Sequence, residues 1–348
     1  MTDAVAVLLQ RAVAAGDVPG AVAIAGGPAT PARRWVAGCA DTTPGAARPT
    51  TIGTRFDLAS LTKVVATTVL VLGLVAEERL ALGDPIARRL PGAAGGHPGV
   101  TVERLLTHTA GLPATVRLWE EHATPEAGRR AVRELAPVAE PGTAVAYSDV
   151  GFMLLGQLVE AVLGCRLPDA FRRRVAEPLA LAATGFGPVA AERAAATELR
   201  PDGTPWVGTV HDENARFLGG AAGHAGLFAT AADLARFCSW WAGEADGPVP
   251  AALRRAAERC RTEGLDGRRG LGWVCRGDRF DVLEGWPATA VCHTGFTGTS
   301  LAVDPAGGRW VVLLTNAVHF GRRSEPIRAL RRSLHAALSP DAGRSLPS

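Results

Sequence analysis

The alternation of apolar segments with turns predicts strands near both ends of the chain. Two short apolar runs separated by a Gly/Pro turn lie in the first part of the chain, and three more lie in its last third. A Pro-Ala-Gly-Gly turn at residues 305–308 predicts that the last two strands form a hairpin. The predicted strands are residues 21–25, 34–39, 271–276, 300–304 and 309–315.

Helical spacing of apolar residues predicts a helix at each end and several in the middle of the chain. The first segment, residues 3–15, repeats apolar residues at helical intervals, and Gly16 ends it. A long and strongly apolar helix is predicted to start at Ser60. The predicted helices after the first are residues 60–79, 102–107, 125–135, 151–162, 169–176, 231–242 and 326–338.

Strands at both chain ends with helices between them predict an α/β (α+β) fold. Its central antiparallel sheet would be built from about residues 15–60 and 265–338 and flanked by helices. A mainly helical subdomain, about residues 80–240, would be inserted between these two parts. We predict one domain over residues 1–338 and a disordered tail at residues 339–348.

The composition excludes several classes of protein. The chain has 47% hydrophobic and 20% charged residues, as in ordinary globular proteins, and a net charge of +3 that does not indicate nucleic acid. The apolar run at residues 64–76 is too short for a membrane span, and no secretory signal pattern is present. None of the six cysteines forms a CxxC motif. We therefore expect a cytoplasmic protein with free thiols and no nucleic-acid or membrane partner.

One lysine stands alone in a chain that otherwise uses arginine. Lys63 is the only lysine, whereas Lys and Arg together number 37. It lies three residues after Ser60, so both side chains would share one face of the predicted apolar helix. A desolvated amine beside a serine hydroxyl can take its proton, and the N–H groups at a helix start can stabilise an oxyanion. By itself this Ser-x-x-Lys pattern is weak, because an exposed helix start can have the same residues.

Two further segments carry candidate chemistry. Residues 147–149, Tyr-Ser-Asp, precede a predicted helix, and Tyr147 is the only tyrosine. A tyrosine held against a lysine can relay a proton, although a packing tyrosine is the more frequent case. Residues 293–300, His-Thr-Gly-Phe-Thr-Gly-Thr-Ser, lie at a strand boundary, where a glycine lets a substrate backbone lie close to the strand. A Gly-rich turn is the alternative for that segment.

In this order the three motifs resemble those of the class C β-lactamase, DD-peptidase and esterase family. The motifs are Ser-x-x-Lys at residues 60–63, Tyr-Ser-Asp at 147–149 and His-Thr-Gly at 293–295. Two further stretches, residues 105–113 and 223–230, resemble recurrent segments of the same family. The resemblance covers nearly the whole chain and implies the DD-peptidase and β-lactamase fold.

The resemblance also implies a role for each matching residue. Ser60 would be acylated, and Lys63 and Tyr147 would share the general base and acid work. The backbone N–H groups of Ser60 and Phe296 would form the oxyanion hole. The substrate-binding residues that the resemblance implies are Asp149, His293, Thr294, Gly295 and Phe296.

Two positions depart from the pattern of class C β-lactamases, which show Lys-Thr-Gly and Tyr-x-Asn. His293 replaces the lysine, and a histidine with its ordinary pKa of about 6.5 is mostly neutral at pH 7. Asp149 replaces the asparagine, cannot donate a hydrogen bond when ionised, and would hold Lys63 protonated. We therefore rank β-lactam hydrolysis below esterase, amidase or D-peptidase chemistry, and a cytoplasmic enzyme would not meet cell-wall cross-links.

No pattern indicates a metal or a cofactor. His211 and His224 flank a glycine-rich segment, but no His-x-His or His-Glu-x-x-His spacing is present, and no phosphate loop follows. We predict instead that this segment forms a wall of the substrate cleft, with His211 or His224 as polar contacts. His108 is predicted to be a structural hydrogen-bonding residue.

These observations lead to three hypotheses for function. The first is a serine acyl-enzyme hydrolase that acts on a small-molecule ester or amide through Ser60. The second is an acyltransferase that passes the same acyl group to an amine or alcohol in small-molecule biosynthesis. The third is a non-catalytic ligand-binding module, which the intact Ser60, Lys63 and Tyr147 disfavour.

Overall fold

A central antiparallel sheet organises the protein, as seen in a computed structural model that describes residues 3–28, 30–245 and 247–340. The strands in the described residues are β1 (Gly20–Gly27), β2 (Thr30–Asp41), β3 (Arg48–Pro49), β4 (Phe56–Asp57), β5 (Gly185–Phe186), β6 (Ala196–Leu199), β7 (Pro205–Val207), β8 (Leu227–Ala229), β9 (Val274–Cys275), β10 (Val291–Thr294), β11 (Ser300–Asp304) and β12 (Arg309–Thr315). Seven of them form the central sheet in the order β3-β2-β1-β12-β11-β10-β9. The remaining strands form two small sheets, β4-β8-β5 and β6-β7.

Helices cover both faces of this sheet and fill the middle of the chain. The α-helices in the described residues are α1 (Ala4–Ala14), α2 (Lys63–Ala76), α3 (Val102–Leu106), α4 (Leu118–Glu121), α5 (Pro125–Glu134), α6 (Asp149–Leu163), α7 (Leu167–Ala176), α8 (Glu213–Phe217), α9 (Ala231–Ala242), α10 (Ala251–Glu258) and α11 (Ser324–Ala337). The first part of α2, Lys63–Thr68, has π-helical hydrogen bonds, a distortion that is frequent near functional sites.

The two ends of the chain meet in the centre of the sheet. Strand β1 pairs antiparallel with β12, with Ala21 opposite Thr315 and Ile24 opposite Val312. Helices α1 and α11 pack together on one face of this pair, and α9 packs on the other. This arrangement confirms the predicted α/β fold, with a sheet formed by both chain ends and a largely helical part between them.

Both faces of the central sheet are buried, which explains why its strands have continuous apolar runs. Successive residues of a strand point to opposite faces. Ile24 and Leu314 join the large core that includes Trp241 of α9, whereas Ala23 joins the smaller core that includes Leu334 of α11. Because neither face meets water, the polar positions of an alternating strand are replaced by apolar ones.

Most predicted elements are confirmed, and one strand is much shorter than predicted. The hairpin of β11 and β12 has the predicted bounds, and α9 begins and ends where predicted. The predicted strand at residues 271–276 is wrong except for Val274–Cys275. Gly272 has a φ of +81°, and its N–H donates to the carbonyl of Leu106 (2.9 Å) instead of a sheet neighbour. The backbone there is used to tie the sheet to α3.

Three further predictions concern the cysteines, the C-terminal tail and membrane spans. All six cysteines are free. Most of the predicted disordered tail, residues 341–348, lies outside the described residues, and the N–H of Ser339 donates to the carbonyl of Ala336 (3.1 Å). Among the described residues no single helix is long and apolar enough to cross a membrane. Two helices joined at a bend, Asp149–Leu163 and Leu167–Ala176, reach the required length and composition only when they are taken together.

Candidate active site

A cleft of about 400 Å³ contains most of the residues that the sequence singled out. Its lining includes Ser60 and Tyr147 from two separate parts of the chain, together with residues that end β10 and follow it. Lys63 and Asp149 lie directly behind Ser60. The predicted site residues in the lining are Ser60, Tyr147, His293, Thr294, Gly295 and Phe296.

Lys63 contacts both Ser60 and Asp149. Its Nζ lies 2.9 Å from Oγ of Ser60 and 2.7 Å from Oδ1 of Asp149, and its side chain is fully buried. Ser60 lies in the turn that leads into α2, and its carbonyl accepts the N–H of Lys63 (3.0 Å). This turn places the two side chains together, as the three-residue spacing predicts.

Asp149 sets the charge of Lys63. Burial lowers the pKa of Lys63, but the charge of Asp149, with the influence of Tyr147 and hydrogen bonds to both residues, outweighs burial and raises the pKa above the ordinary lysine value. Lys63 is therefore a cation at neutral pH and donates to the hydroxyl of Ser60. A protonated amine cannot accept the serine proton, so the geometry leaves that role to another group.

Tyr147 lies beside Lys63 in the cleft. Nζ of Lys63 lies 4.8 Å from the centroid of its ring, and the guanidinium carbon of Arg269 lies 5.9 Å from it. His108 packs against the ring with a centroid distance of 4.5 Å. Two cations and one neutral ring therefore surround the tyrosine ring beside Ser60.

The helix start at Ser148 fixes Tyr147 and Asp149. The Ser148 hydroxyl caps α6 by accepting the N–H of Gly151 (3.1 Å), and it donates to the carbonyl of Pro113 (2.6 Å). The N–H of Ser148 donates to Nδ1 of His108 (3.0 Å), which confirms the predicted structural role of that histidine. Burial, with nearby positive charges, keeps the pKa of His108 well below its usual value, so Nδ1 stays an acceptor.

The turn before Ser60 is held by a buried carboxylate. Ala59 has a φ of +47°, in the left-handed region that non-glycine residues rarely adopt. Its N–H donates to Oδ1 of Asp57 (2.8 Å), and the other carboxylate oxygen accepts the N–H of His211 (2.7 Å). These bonds offset the cost of the unusual backbone at the residue before the candidate nucleophile.

Two threonines fasten the loop after β10 to the strand that precedes Ser60. The hydroxyl of Thr297 donates to the carbonyl of Asp57 (2.6 Å), and that of Thr299 donates to the carbonyl of Leu58 (3.0 Å). A Cβ on Gly295 would lie 2.4 Å from the same Leu58 oxygen, so the close approach requires glycine. The loop is thereby held at a fixed position relative to Ser60.

This position brings together the two predicted oxyanion donors. In the described part of the chain, the N–H groups of Ser60 and Phe296 donate to no protein atom, and both residues line the cleft. Unpaired N–H groups at a cleft are what a developing oxyanion requires. The arrangement is consistent with the predicted oxyanion hole, whose role stays a prediction.

His293 does not carry the charge that a lysine would supply. Burial, with the nearby charges of Lys63 and Arg269, lowers its pKa to about 3, so the ring is neutral at pH 7. Nδ1 of His293 donates to the carbonyl of Thr294 (2.9 Å). Arg269 instead brings a permanent charge to the cleft, where it is buried and paired with Asp278 (3.2 Å).

The prediction for the glycine-rich segment is wrong, because neither histidine lines the cleft. Nε2 of His224 lies 2.8 Å from Oδ1 of Asp212, and its carbonyl faces Lys63 at 3.5 Å from Nζ. His211 stacks on Phe296, with ring centroids 5.7 Å apart. The segment lies behind Lys63, where the carbonyl of Gly223 accepts the hydroxyl of Thr67 (2.6 Å) and Gly223 packs against Gly156 of α6.

Sequence reasoning missed several residues of the site. Arg269 and Arg331 line the cleft, yet nothing distinguishes them in sequence from the many other arginines. Asp57, Thr297 and Thr299 act through backbone carbonyls and amides. The two threonines lie inside the segment that carries the His-Thr-Gly motif, which is the signal that could have found them.

Comparison with known proteins agrees with this geometry. The family model described as Beta-lactamase matches residues 5–336 of the chain. A curated relative from Escherichia coli (strain K12), provisionally named D-alanyl-D-alanine carboxypeptidase, is 33% identical over an alignment of 312 residues that covers 77% of this chain and 70% of the relative.

Solved structures share the fold at lower identity. A class C β-lactamase from Rhodobacter sphaeroides has a TM-score of 0.75 and 20% identity, over 97% of this chain and 99% of that one. EstCE1, described as a hydrolase with promiscuous acyltransferase activity, has a TM-score of 0.75 and 24% identity, over 95% of this chain and 97% of that one. At these identities the two structures support the fold alone.

Proposed function

Because the chain belongs to the Beta-lactamase family and is thereby a serine hydrolase, we propose that it cleaves a small-molecule ester or amide through an acyl-enzyme on Ser60. The observation that carries this proposal is the contact of Lys63 with both Ser60 and Asp149, beside Tyr147. No packing requirement explains a buried lysine in that position, because burying a charge is costly unless the charge has a use or a partner.

The proposed reaction requires Tyr147 as its phenolate, beside the cationic Lys63, and begins when the phenolate oxygen takes the proton of Ser60. Oγ of Ser60 then attacks the substrate carbonyl, and the N–H groups of Ser60 and Phe296 bind the oxyanion. Tyr147 returns its proton to the leaving alcohol or amine as the tetrahedral intermediate collapses to the acyl-enzyme. Water, activated by Tyr147 in the same way, releases the acid and restores Ser60.

The apolar part of the cleft fits an acyl group. The whole cleft has a volume of about 400 Å³, which lies in the range of small-molecule sites. The lining also includes aliphatic side chains, which suit a hydrocarbon chain better than a peptide backbone. The aliphatic residues in the lining are Val274, Val282, Ala317, Val318 and Ile327.

The residues at positions 293 and 149 favour esters and amides over β-lactams. The neutral His293 supplies no positive charge on β10 for an antibiotic carboxylate. Asp149 is engaged by Lys63 and cannot donate the hydrogen bond that an asparagine would. We therefore place simple esters, amides and D-amino-acid amides ahead of cephalosporins as substrates.

Labelling with a fluorophosphonate probe tests the acyl-enzyme. We expect the wild type to be labelled and to hydrolyse p-nitrophenyl esters, and we expect Ser60→Ala to lose both activities. Ser239→Ala, a change at an exposed serine on α9, is the matched control and keeps both. An unlabelled wild type would favour a ligand-binding module, and a labelled Ser60→Ala variant would assign the nucleophile to another residue.

Acyl transfer is the second candidate, because it uses the same acyl-enzyme. The fold is shared with EstCE1, which is described as a hydrolase with promiscuous acyltransferase activity. To distinguish acyl transfer from hydrolysis, amine or alcohol acceptors are added to the p-nitrophenyl ester reaction and the products are identified by mass spectrometry. A dominant amide or new ester product would make transfer the main reaction, whereas free acid would make it hydrolysis.

A further inference from the structure

The charged side chains that line the cleft are nearly all positive. Asp281 is the one acidic residue among the described residues that line it. Both oxygens of its carboxylate accept backbone N–H groups, from Gly277 and Leu283. The arginines in the lining are Arg269, Arg279, Arg322, Arg323, Arg328, Arg331 and Arg332.

Two of these arginines have acidic partners among the residues that the structure describes. Arg269 pairs with Asp278, and Arg322 pairs with Glu198 and Glu213. For the other five, no carboxylate oxygen of the described residues lies within 4.0 Å of a guanidinium nitrogen. We refer to these five as the arginine cluster: Arg279, Arg323, Arg328, Arg331 and Arg332.

Three members of the cluster come from one face of α11. Arg328, Arg331 and Arg332 are spaced by three and four residues, which places them side by side on the helix surface. Arg328 and Arg332 are exposed, whereas Arg331 is 8% exposed. Like charges at this spacing destabilise a helix, so the arrangement calls for an anion to offset it.

Arg331 is the buried member of the cluster. One of its terminal nitrogens donates to the carbonyls of Gly295 and Thr299 (2.9 Å to Thr299), but its Nε is buried and has no partner among the described residues. Burial, with the charge of Arg328, lowers its pKa to about 10, so it is still a cation at neutral pH. A buried cation without a counter-ion is costly.

The number of guanidinium groups in the arginine cluster indicates the class of ligand. One carboxylate is satisfied by a single bidentate arginine, whereas a phosphate group has three oxygens and up to two negative charges and suits several guanidinium groups. We propose that the cleft binds acyl substrates carrying a phosphate ester or diphosphate group, which the arginine cluster holds while the carbonyl reaches Ser60. The acyl part of this inference rests on the proposed function; the binding part does not.

The binding part is tested without turnover. Inorganic pyrophosphate is titrated into the Ser60→Ala protein at fixed ionic strength and its binding is measured by calorimetry. We expect saturable binding, and we expect the double variant Arg328→Gln/Arg332→Gln, made in the same background, to weaken it by at least about tenfold, because it loses two charge-assisted contacts with the anion.

A matched control removes the same net charge elsewhere. Arg130 on α5 and Arg173 on α7 are exposed and lie outside the cleft lining. The double variant Arg130→Gln/Arg173→Gln should bind pyrophosphate as the parent does. Equal weakening in both double variants, or no binding by the parent, would overturn the proposal.

A second titration separates a phosphate site from a simple carboxylate site. Acetate at the same ionic strength should bind far more weakly than pyrophosphate, because it offers one charge and two oxygens. If acetate binds as tightly, the cluster serves a single carboxylate and the proposal is wrong. Pyrophosphate binding in a protein that fluorophosphonate does not label would leave the anion site standing and refute only the acyl-enzyme.

Discussion

At the scale of single residues, the chemistry depends on the pair formed by Lys63 and Asp149. The carboxylate raises the pKa of the buried amine and keeps it protonated, which is why the proposed mechanism gives the proton-accepting role to Tyr147. Asparagine in place of Asp149 would leave burial as the dominant influence on the amine.

Asp149→Asn should therefore change the pH dependence of the reaction. Without the carboxylate, the pKa of Lys63 falls, so the lysine loses its proton at lower pH than in the wild type. If the reaction requires a cationic Lys63, the alkaline limb of kcat/KM against pH moves to lower pH. Profiles of p-nitrophenyl ester hydrolysis measure this shift.

Asp202→Asn, at an exposed carboxylate in the turn between β6 and β7, is the control for this experiment and should keep the wild-type profile. An unchanged alkaline limb in Asp149→Asn would mean that the charge of Lys63 does not limit the reaction.

Candidate site residues could be predicted from the sequence where their amino-acid type is rare in this chain, and could not where it is common. A single lysine and a single tyrosine, in motifs with the right order, identified Lys63 and Tyr147. Arg331 is one of many arginines, and its importance comes from burial and from the carbonyls it meets, which only the folded chain defines. The assignment of the glycine-rich segment failed for a related reason, because small residues suit a cleft wall and a packed core equally well.

At the scale of elements, the loop between β10 and β11 links the substrate strand to the nucleophile. Thr297 and Thr299 attach it to the backbone that leads to Ser60, and Arg331 holds it from α11. The position of the Phe296 N–H therefore depends on contacts from two other parts of the chain.

Thr299→Val should damage catalysis more than binding. The change keeps the side-chain volume but removes the hydrogen bond to the Leu58 carbonyl, which keeps the N–H of Leu61 as its other donor (3.1 Å). The loop then loses one of its two threonine anchors to the backbone before Ser60. We expect kcat to fall by about tenfold with a smaller change in KM, because the oxyanion donor matters most in the transition state. Steady-state kinetics with a p-nitrophenyl ester provide the measurement.

Thr143→Val removes an equivalent hydroxyl-to-carbonyl bond, to Glu140 (2.8 Å), at an exposed position and should leave both constants unchanged. A rise in KM alone for Thr299→Val would show that the loop binds substrate without stabilising the transition state.

Elements with strong local signals were predicted well. The hairpin of β11 and β12 follows from its turn, and α9 follows from its apolar spacing. The strand at residues 271–276 was overestimated because its apolar pattern is real, but Gly272 turns the backbone towards Leu106. That contact joins residues far apart in the chain, so no local pattern could reveal it.

At the scale of the whole molecule, both chain ends build the sheet and the middle of the chain supplies much of the site. The fold could be predicted because strands and helices are segregated along the sequence. The cytoplasmic location stays a prediction. Glu258 of α10 also affects the stability of the whole molecule. Its carboxyl is mostly buried and accepts the indole N–H of Trp241 in α9 (2.6 Å).

Glu258 should make the protein less stable as pH rises. Burial raises its pKa to about 7, against the opposing influence of Arg255 and Trp241, whereas an unfolded glutamate has a pKa of about 4.3. Between these values the folded state holds a proton that the unfolded state has lost, so this group's contribution to stability declines as pH rises through 7. Glu258→Gln should therefore show a smaller drop in thermal midpoint between pH 5 and pH 8 than the wild type.

Glu263→Gln, at an exposed site, is the control and should follow the wild type. The same drop in Glu258→Gln and wild type would show that this carboxyl does not titrate in the folded protein over that range.

The pairing of β1 with β12 has a consequence for how the protein is made. A ribosome that adds about 5–20 residues per second delivers β1 long before its partner exists. Until the final hairpin emerges, β1 keeps an apolar hydrogen-bonding edge that can recruit another nascent chain. Successful synthesis should accordingly depend on chaperones that shield this edge until the last segment leaves the exit tunnel.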